Sequence, residues 1–150
     1  MRPNKDDYYM ALAFVSAERA GCPKRKVGAV ITDKQDRILS VGYNSPARHL
    51  PTCTEVFCGA GIEGNVCISP HAEQSAITTC RDIQSAKTIY ITCSTCTECT
   101  KLILGTPIER IVFAEFHKTW NQTKRIWIGD WTYLESWDPT KGNKRIEVNW

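Results

Sequence analysis

Two short motifs in this chain carry residue types that bind a transition metal and move protons. His71 and Glu73 stand at the start of one predicted helix, and Cys96 and Cys99 stand at the start of another. The cysteine spacing puts both sulfurs on one face of a first helical turn, where the helix start favours thiolates. With His71 they form a set of three ligands, which leaves the fourth position of a zinc ion open for water, as in catalytic zinc sites.

Glu73 is the candidate acid–base group of this site. Because it follows His71 by two residues, its side chain points elsewhere and need not bind the metal. Zinc lowers the pKa of a bound water toward neutrality, and a nearby carboxylate can take that proton and deliver it to a substrate. Either motif alone is a weak signal, since a Cys-x-x-Cys is also typical of redox centres and of structural zinc sites. The two motifs together, each at a helix start, predict a catalytic zinc.

The hydrophobic pattern predicts the elements that must position these motifs. Apolar spacing and turn residues indicate, in chain order, a helix over 6–20, a hairpin of strands over 27–32 and 37–43, a helix over 71–81, a strand over 88–92, a helix over 97–104 and a strand over 110–114. This alternation of strands and helices after a hairpin predicts an α/β fold in which helices cover a mixed sheet.

The segment 44–70 has little periodicity, and a loop of this length in a compact domain needs something to hold it in place. Three of its residues are Cys53, Cys58 and Cys67, and Cys22 lies at the end of the first predicted helix. We predict that these four cysteines hold a second, structural zinc in a closed tetrahedral site. The alternative is that some of them are small buried hydrophobic residues. Cys93 is predicted to be structural rather than a ligand.

The segment 115–150 differs from the rest in composition. It contains all the tryptophans of the chain, namely Trp120, Trp127, Trp131, Trp137 and Trp150. Such residues most often fill a core or an interface, and a stacking platform for nucleic-acid bases is the alternative.

The overall composition sets the class of protein. A length of 150 residues with 42% hydrophobic and 23% charged residues suits one globular domain over 1–150. The net charge of +3 is too mild to argue for a nucleic-acid partner. The sequence shows neither a secretory signal nor a stretch that could span a membrane, so we expect a cytoplasmic protein. In a reducing compartment we expect its eight cysteines to bind metal ions rather than to form disulfides.

The chain resembles the cytidine deaminase superfamily and, within it, the deoxycytidylate (dCMP) deaminases. The resemblance covers about 7–114, and the paired metal motifs are the signature of zinc nucleobase deaminases. The cysteine-bearing insertion before His71 separates the chain from the tRNA adenosine deaminases. Thr95 stands where these families usually have proline. Further matching motifs are Arg19-Ala20-Gly21-Cys22, Val27-Gly28-Ala29-Val30-Ile31, Gly42-Tyr43-Asn44, Glu55-Val56-Phe57-Cys58 and Tyr90-Ile91-Thr92.

The resemblance implies a three-layer αβα fold with a central mixed sheet, and hydrolysis of dCMP to dUMP and ammonia. It implies that Asn44 contacts the sugar or base and that the Ala72 backbone contacts the pyrimidine carbonyl. It also implies a homo-oligomer, commonly a hexamer, and regulation by dCTP and dTTP. From the residues, we expect the basic cluster Lys24, Arg25 and Lys26 to meet the 5′-phosphate, with a solvated turn as the alternative.

Two other functions fit parts of the sequence. A nucleic-acid-editing deaminase, or a deaminase of another nucleoside or nucleotide, would share the zinc site. The tail tryptophans with Lys118, Lys124 and Arg125 would suit a nucleic acid, although the mild net charge disfavours it. A non-catalytic, zinc-stabilised binding module is the second alternative, but such a module would not need Glu73 beside a three-ligand set.

Overall fold

The computed structural model describes residues 2–56 and 66–135 in full and the backbone of 144–147. Its helices are α1 (Lys5–Ala17), α2 (Ala72–Thr79), α3 (Thr97–Leu104) and α4 (Trp120–Thr123), with a 3₁₀ turn at Ile83–Ser85. Its strands are β1 (Gly28–Asp33), β2 (Ile38–Tyr43), β3 (Ala86–Cys93), β4 (Arg110–Glu115), β5 (Asp130–Glu135) and β6 (Lys144–Glu147). Within these described residues, no helix is long and apolar enough to cross a membrane.

The first helix shows how local residues set the ends of an element. The Asn4 side chain accepts a hydrogen bond of 2.9 Å from the Asp7 N–H, which caps the helix start. The helix ends at Ala17, three residues before the predicted end. The N–H of Ala20 instead donates to the carbonyl of Ala17, and this tighter i to i+3 bond stops the α-helical ladder.

The strands form one mixed sheet in the order β2-β1-β3-β4-β5-β6. β1 is antiparallel to both β2 and β3, which confirms the predicted hairpin. β3, β4 and β5 run parallel, so the helices between them cross over the sheet. β5 and β6 were not predicted, and they place part of the tryptophan-rich segment within the sheet.

Alternating side chains divide the core between the two faces of the sheet. Val30, Tyr90 and Val112 face α1 and its buried Tyr9 and Met10. The opposite face packs against α2 and α3, and its core includes Ala29, Ile31, Ala76, Ile89, Ile91, Ile103, Ile111 and Phe113. Helices therefore cover both faces, and the predicted three-layer αβα fold is confirmed.

Two glycines allow the helices to approach the sheet closely. A Cβ on Gly28 of β1 would lie 1.9 Å from the carbonyl oxygen of Ala13 in α1. A Cβ on Gly42 of β2 would lie 2.4 Å from the carbonyl oxygen of Ala72 in α2. Neither contact is possible for a real side chain, so both positions require glycine. The second contact sets how close the start of α2 lies to the sheet.

Two of the tryptophans lie in the core. Trp127 and Trp131 are buried in the cluster beneath α2 and α3. The Trp131 ring meets the edge of Phe113 at a centroid distance of 5.4 Å, and Trp120 lies 4.9 Å from the same ring. The core-filling interpretation is confirmed for Trp127 and Trp131, while Trp137 and Trp150 lie outside the described residues.

Candidate active site

The structure brings His71, Cys96 and Cys99 together. The Nδ1 atom of His71 lies 3.5 Å from the Sγ of Cys96 and 3.3 Å from the Sγ of Cys99. Tetrahedral zinc with ordinary Zn–S and Zn–N bonds separates such atoms by about 3.6 Å, so these three donors fit that ion. All three ligand atoms lie within 4.8 Å of one another, and this is the one such group of histidine, cysteine and acidic residues in the described part of the chain.

Two helix starts position these ligands. His71 is the N-cap of α2, and its N–H donates to the side chain of Gln74 at 2.7 Å. Cys96 is the N-cap of α3, and its sulfur accepts a hydrogen bond from the Cys99 N–H at 3.4 Å. Both sulfurs therefore lie at the positive end of a helix, where a thiolate is favoured.

The electrostatics of the ligand group favour a thiolate at Cys96. The hydrogen bond with the Cys99 thiol, together with His71, lowers the pKa of Cys96 to about 3. The same contact and burial raise the pKa of Cys99, and the contact with Cys96 raises the pKa of His71. The ligand group thus favours a thiolate at Cys96, and a bound cation would favour the second thiolate as well.

Glu73 lies in the first turn of α2, beside this group. Its side chain is 4% exposed, and burial raises the pKa of its carboxyl to about 7. A carboxyl group whose pKa is near 7 can both accept and donate a proton, as general acid–base catalysis requires. The structure therefore places Glu73 where the motif spacing predicts it, next to the ligands.

A cavity of about 190 Å³ opens beside Glu73 and the metal-binding group. Its wall combines residues from the hairpin, the start of α2 and the ends of β3 and β4. The wall residues include Arg25, Val27, Asn44, Cys67, Ser69, Ala72, Cys93, Ser94 and His117. This volume suits a single base with part of its sugar rather than an extended polymer.

Arg25 is the member of the basic cluster that lies in the cavity wall. Its guanidinium donates to the Sγ of Cys93 at 2.7 Å, and burial raises the pKa of that thiol to about 11. This thiol is therefore neutral, and Arg25 forms no ion pair with an acidic residue in the described part of the chain. Lys24 and Lys26 are not among the described residues that line this cavity, and Lys26 pairs with Glu18 at 3.3 Å. Their contact with a phosphate stays a prediction.

Asn44 and Ala72 also lie in the cavity wall. The Asn44 side chain accepts from the Val27 N–H at 2.8 Å and donates to the Arg25 carbonyl at 2.7 Å. It therefore holds the segment that carries Arg25. Ala72 is the first residue of α2, where a backbone N–H has no partner within the helix and can donate to a ligand. Their substrate contacts stay predictions.

His117 is a wall residue that the sequence analysis missed. Its Nδ1 accepts a hydrogen bond from the Thr119 N–H at 3.1 Å, so the ring proton is on Nε2. Burial lowers the pKa of this imidazole, which keeps it neutral. A single histidine forms no sequence motif. Its position could have identified it, because His117 follows the end of β4 as Cys96 follows the end of β3. The parallel pairing of these strands brings both to the same edge of the sheet.

The second group of cysteines is arranged differently. The Sγ of Cys53 lies 3.6 Å from the Oγ of Ser69, and the Sγ of Cys67 lies 3.9 Å from the Ser69 carbonyl oxygen. Cys22 and Cys67 line the cavity, and Cys58 lies outside the described residues. Within the described ranges these cysteines do not form a second group of three close ligands. The second zinc stays a prediction.

Residues 3–115 match the family model for the cytidine and deoxycytidylate deaminase zinc-binding region. The chain belongs to this deaminase family. It is 34% identical over 125 residues to a deoxycytidylate deaminase of Saccharomyces cerevisiae, covering 79% of this chain but only 40% of the yeast protein. It is 34% identical over 123 residues to a deoxycytidylate deaminase of Mycobacterium phage D29, covering 75% of this chain and 95% of the phage protein.

The fold is also that of a solved deaminase. The dCMP deaminase of the cyanophage S-TIM5, in complex with dCMP and dUMP, superposes with a TM-score of 0.69. The match covers 90% of this chain and 98% of the phage chain at 20% sequence identity, which establishes a shared fold. Membership in a zinc-binding deaminase family, together with the His71, Cys96 and Cys99 donors, assigns zinc to this centre.

Proposed function

We propose that this protein is a zinc-dependent deaminase that hydrolyses deoxycytidine monophosphate to deoxyuridine monophosphate and ammonia. One observation carries the proposal. His71 and Cys96 of the three-donor group line one cavity together with the buried carboxyl of Glu73, and this cavity suits a single base with part of its sugar. The curated relatives named deoxycytidylate deaminase support the choice of substrate.

The chemistry follows from what Glu73 can do with protons. Zinc, when held by His71, Cys96 and Cys99, supplies a water that deprotonates near neutral pH. The Glu73 carboxylate accepts a proton from this water and delivers it to the ring nitrogen next to the amino-bearing carbon. The water oxygen forms the new bond to that carbon. Glu73 then carries the second proton to the amino group, which leaves as ammonia as the carbonyl of the product forms.

The wall of the cavity supplies groups that match the rest of a nucleotide. Because both residues line the cavity, we propose that the Ala72 backbone meets the pyrimidine carbonyl and that Asn44 contacts the sugar or base. Arg25 provides a cation whose partner, the Cys93 thiol, is neutral. A guanidinium suits a phosphate because it can donate two parallel hydrogen bonds. We therefore assign Arg25 to the 5′-phosphate.

A substrate panel tests this function. Purified protein is incubated with dCMP, deoxycytidine, dCTP and a cytosine-containing oligonucleotide, while ultraviolet absorbance and released ammonia are followed. We expect turnover of dCMP well above that of the other three. Preferred turnover of the oligonucleotide would favour an editing deaminase, and a lack of ammonia with every substrate in a zinc-loaded protein would favour a non-catalytic binding module.

We further propose a second zinc at Cys22, Cys53, Cys58 and Cys67. The contacts of the Cys53 and Cys67 sulfurs with one residue, Ser69, support it. A metal would add the binding free energy that this apolar-poor segment lacks. Metal analysis of the purified protein counts the zinc ions directly.

The quaternary state, regulators and compartment follow from the resemblance and the cysteines. We propose a homo-oligomer such as a hexamer, with dCTP as activator and dTTP as inhibitor. Light scattering and rates measured with each nucleotide test these two points. We place the protein in a reducing, cytoplasmic compartment, and the seven described cysteines support this because they form no disulfide with one another.

A further inference from the structure

Three threonines lie behind the zinc cysteines and are closed to solvent. Thr95, Thr100 and Thr123 are each 0% exposed. They come from three places in the chain: the residue before Cys96, helix α3, and helix α4 of the tryptophan-rich segment. A buried hydroxyl is costly unless it is hydrogen-bonded, so three at one site call for a role.

The hydroxyls of Thr95 and Thr100 form a directed pair, and the Thr123 hydroxyl bonds separately to the backbone. The Thr100 hydroxyl donates to the Cys96 carbonyl at 2.8 Å. Because that uses its single proton, its oxygen accepts from the Thr95 hydroxyl, 2.5 Å away. The Thr123 hydroxyl donates to the Thr95 carbonyl at 3.1 Å. The carbonyls of Thr95 and Cys96, in the peptides on either side of the Cys96 Cα, are therefore both held.

These hydrogen bonds restrain the backbone of Cys96, whose sulfur is a predicted zinc ligand. The Cys96 carbonyl already accepts the Thr100 N–H at 2.9 Å, so the hydroxyl adds a second bond to the same oxygen. The restraint on Thr95 comes from α4, which Trp120 holds against Phe113. Groups behind the ligands that fix their orientation commonly alter metal affinity and activity about 10- to 100-fold.

We propose that Thr95, Thr100 and Thr123 are positioning residues of the zinc centre. Because Thr123 belongs to the tryptophan-rich segment, that segment contributes to the geometry of the centre. The threonine hydroxyls hold the Cys96 and Cys99 sulfurs at the spacing that zinc requires. This inference rests on the zinc centre of the proposed function. It extends that function to a part of the chain beyond the matched family region, which ends at residue 115.

The test compares isosteric variants of the full chain. Thr100→Val and Thr123→Val keep the shape of the side chain but remove the donating hydroxyl, while Thr100→Ser restores it. The matched control is Thr32→Val, because Thr32 is 1% exposed and its hydroxyl has no hydrogen-bond partner in the part of the chain that the structure describes. Zinc affinity is measured by chelator competition, and the absorption spectrum of the Co²⁺-loaded protein reports the thiolate geometry.

We expect Thr100→Val and Thr123→Val to weaken zinc binding about tenfold and to shift the Co²⁺–thiolate absorption. In zinc-saturated protein, kcat for dCMP should fall while KM stays unchanged. Thr100→Ser and Thr32→Val should match wild type in all three measurements. Equal zinc affinity and equal spectra in both hydroxyl-free variants would overturn the inference. If Thr100→Val fails to fold, the same comparison between Thr123→Val and Thr123→Ser decides it. A wild-type protein that binds no zinc would instead overturn the proposed function itself.

Discussion

Two cysteine-bearing regions of this molecule differ in how their ligands are held. Cys96 and Cys99 lie at the start of a helix, and with His71 their donor atoms are all within 4.8 Å of one another. Cys53 and Cys67 lie in the segment before α2, and both sulfurs contact Ser69. The first region is organised by secondary structure and buried hydroxyls, whereas the second has mainly turns.

The fold organises the first metal site without a bound ion, whereas the proposed second site depends on the ion for its order. Hydrogen bonds of α2, α3 and the threonines fix the catalytic ligands through the fold itself. The segment of Cys53 has few apolar residues to bury, so its order depends on what its sulfurs bind. We therefore expect loss of metal to abolish catalysis in the first region and to loosen the fold in the second.

The largest expected effect comes from Glu73→Gln. The amide cannot carry a proton between water and the ring, so kcat for dCMP should fall about a thousandfold. Zinc content should stay at the wild-type value, because Glu73 is not a ligand. Rates from ammonia release, together with metal analysis, check both statements. A Glu73→Gln protein with wild-type turnover would remove the carboxyl from the mechanism.

Arg25→Ala tests the cavity wall that both regions share. Loss of a charge-assisted hydrogen bond should lower kcat/KM for dCMP roughly 10- to 100-fold. Turnover of deoxycytidine, which has no phosphate, should be unchanged by the substitution.

Lys26→Ala is the matched control, since Lys26 pairs with the exposed Glu18 and does not line the cavity. It should leave both substrates' rates as in wild type. If Lys26→Ala weakens dCMP turnover as much as Arg25→Ala does, the phosphate lies outside this cavity wall.

Cys53→Ser separates the two regions most directly. Zinc per chain should fall from about two to about one, because a Cys₄ site loses a ligand while the catalytic centre keeps all of its own. The remaining zinc should still support turnover, with faster proteolysis confined to 44–70. One zinc per chain in fully active wild-type protein would rule out the second site.

The smallest expected effect is at His117. The His117→Phe variant keeps an aromatic ring but removes the Nε2–H that is free to donate, and we expect KM for dCMP to rise about two- to tenfold. His117→Gln, which retains an N–H donor, should show a smaller rise. Equal KM values in wild type and His117→Phe would mean that this wall does not contact the nucleotide.

Prediction from sequence succeeded where the pattern is local. The hairpin, α3 and β4 follow from short-range periodicity, and their observed bounds differ little from the predicted ones. β5 and β6 escaped prediction because aromatic, mixed-polarity stretches after residue 115 carry no clear period. Their strand character depends on tertiary pairing, since β5 pairs with β4 and β6 pairs with β5.

The sequence by itself determined the chemistry of the centre, since the spacing of His71, Glu73, Cys96 and Cys99 on two helix starts is a local property. Only the tertiary structure decided which other residues reach that centre. It placed Arg25 and His117 in the cavity wall and brought Thr123 of α4 to the Thr95 carbonyl. The physical reason is that strand pairing and helix packing fix these contacts over long separations, whereas residue spacing reports only on the nearest turns of the chain.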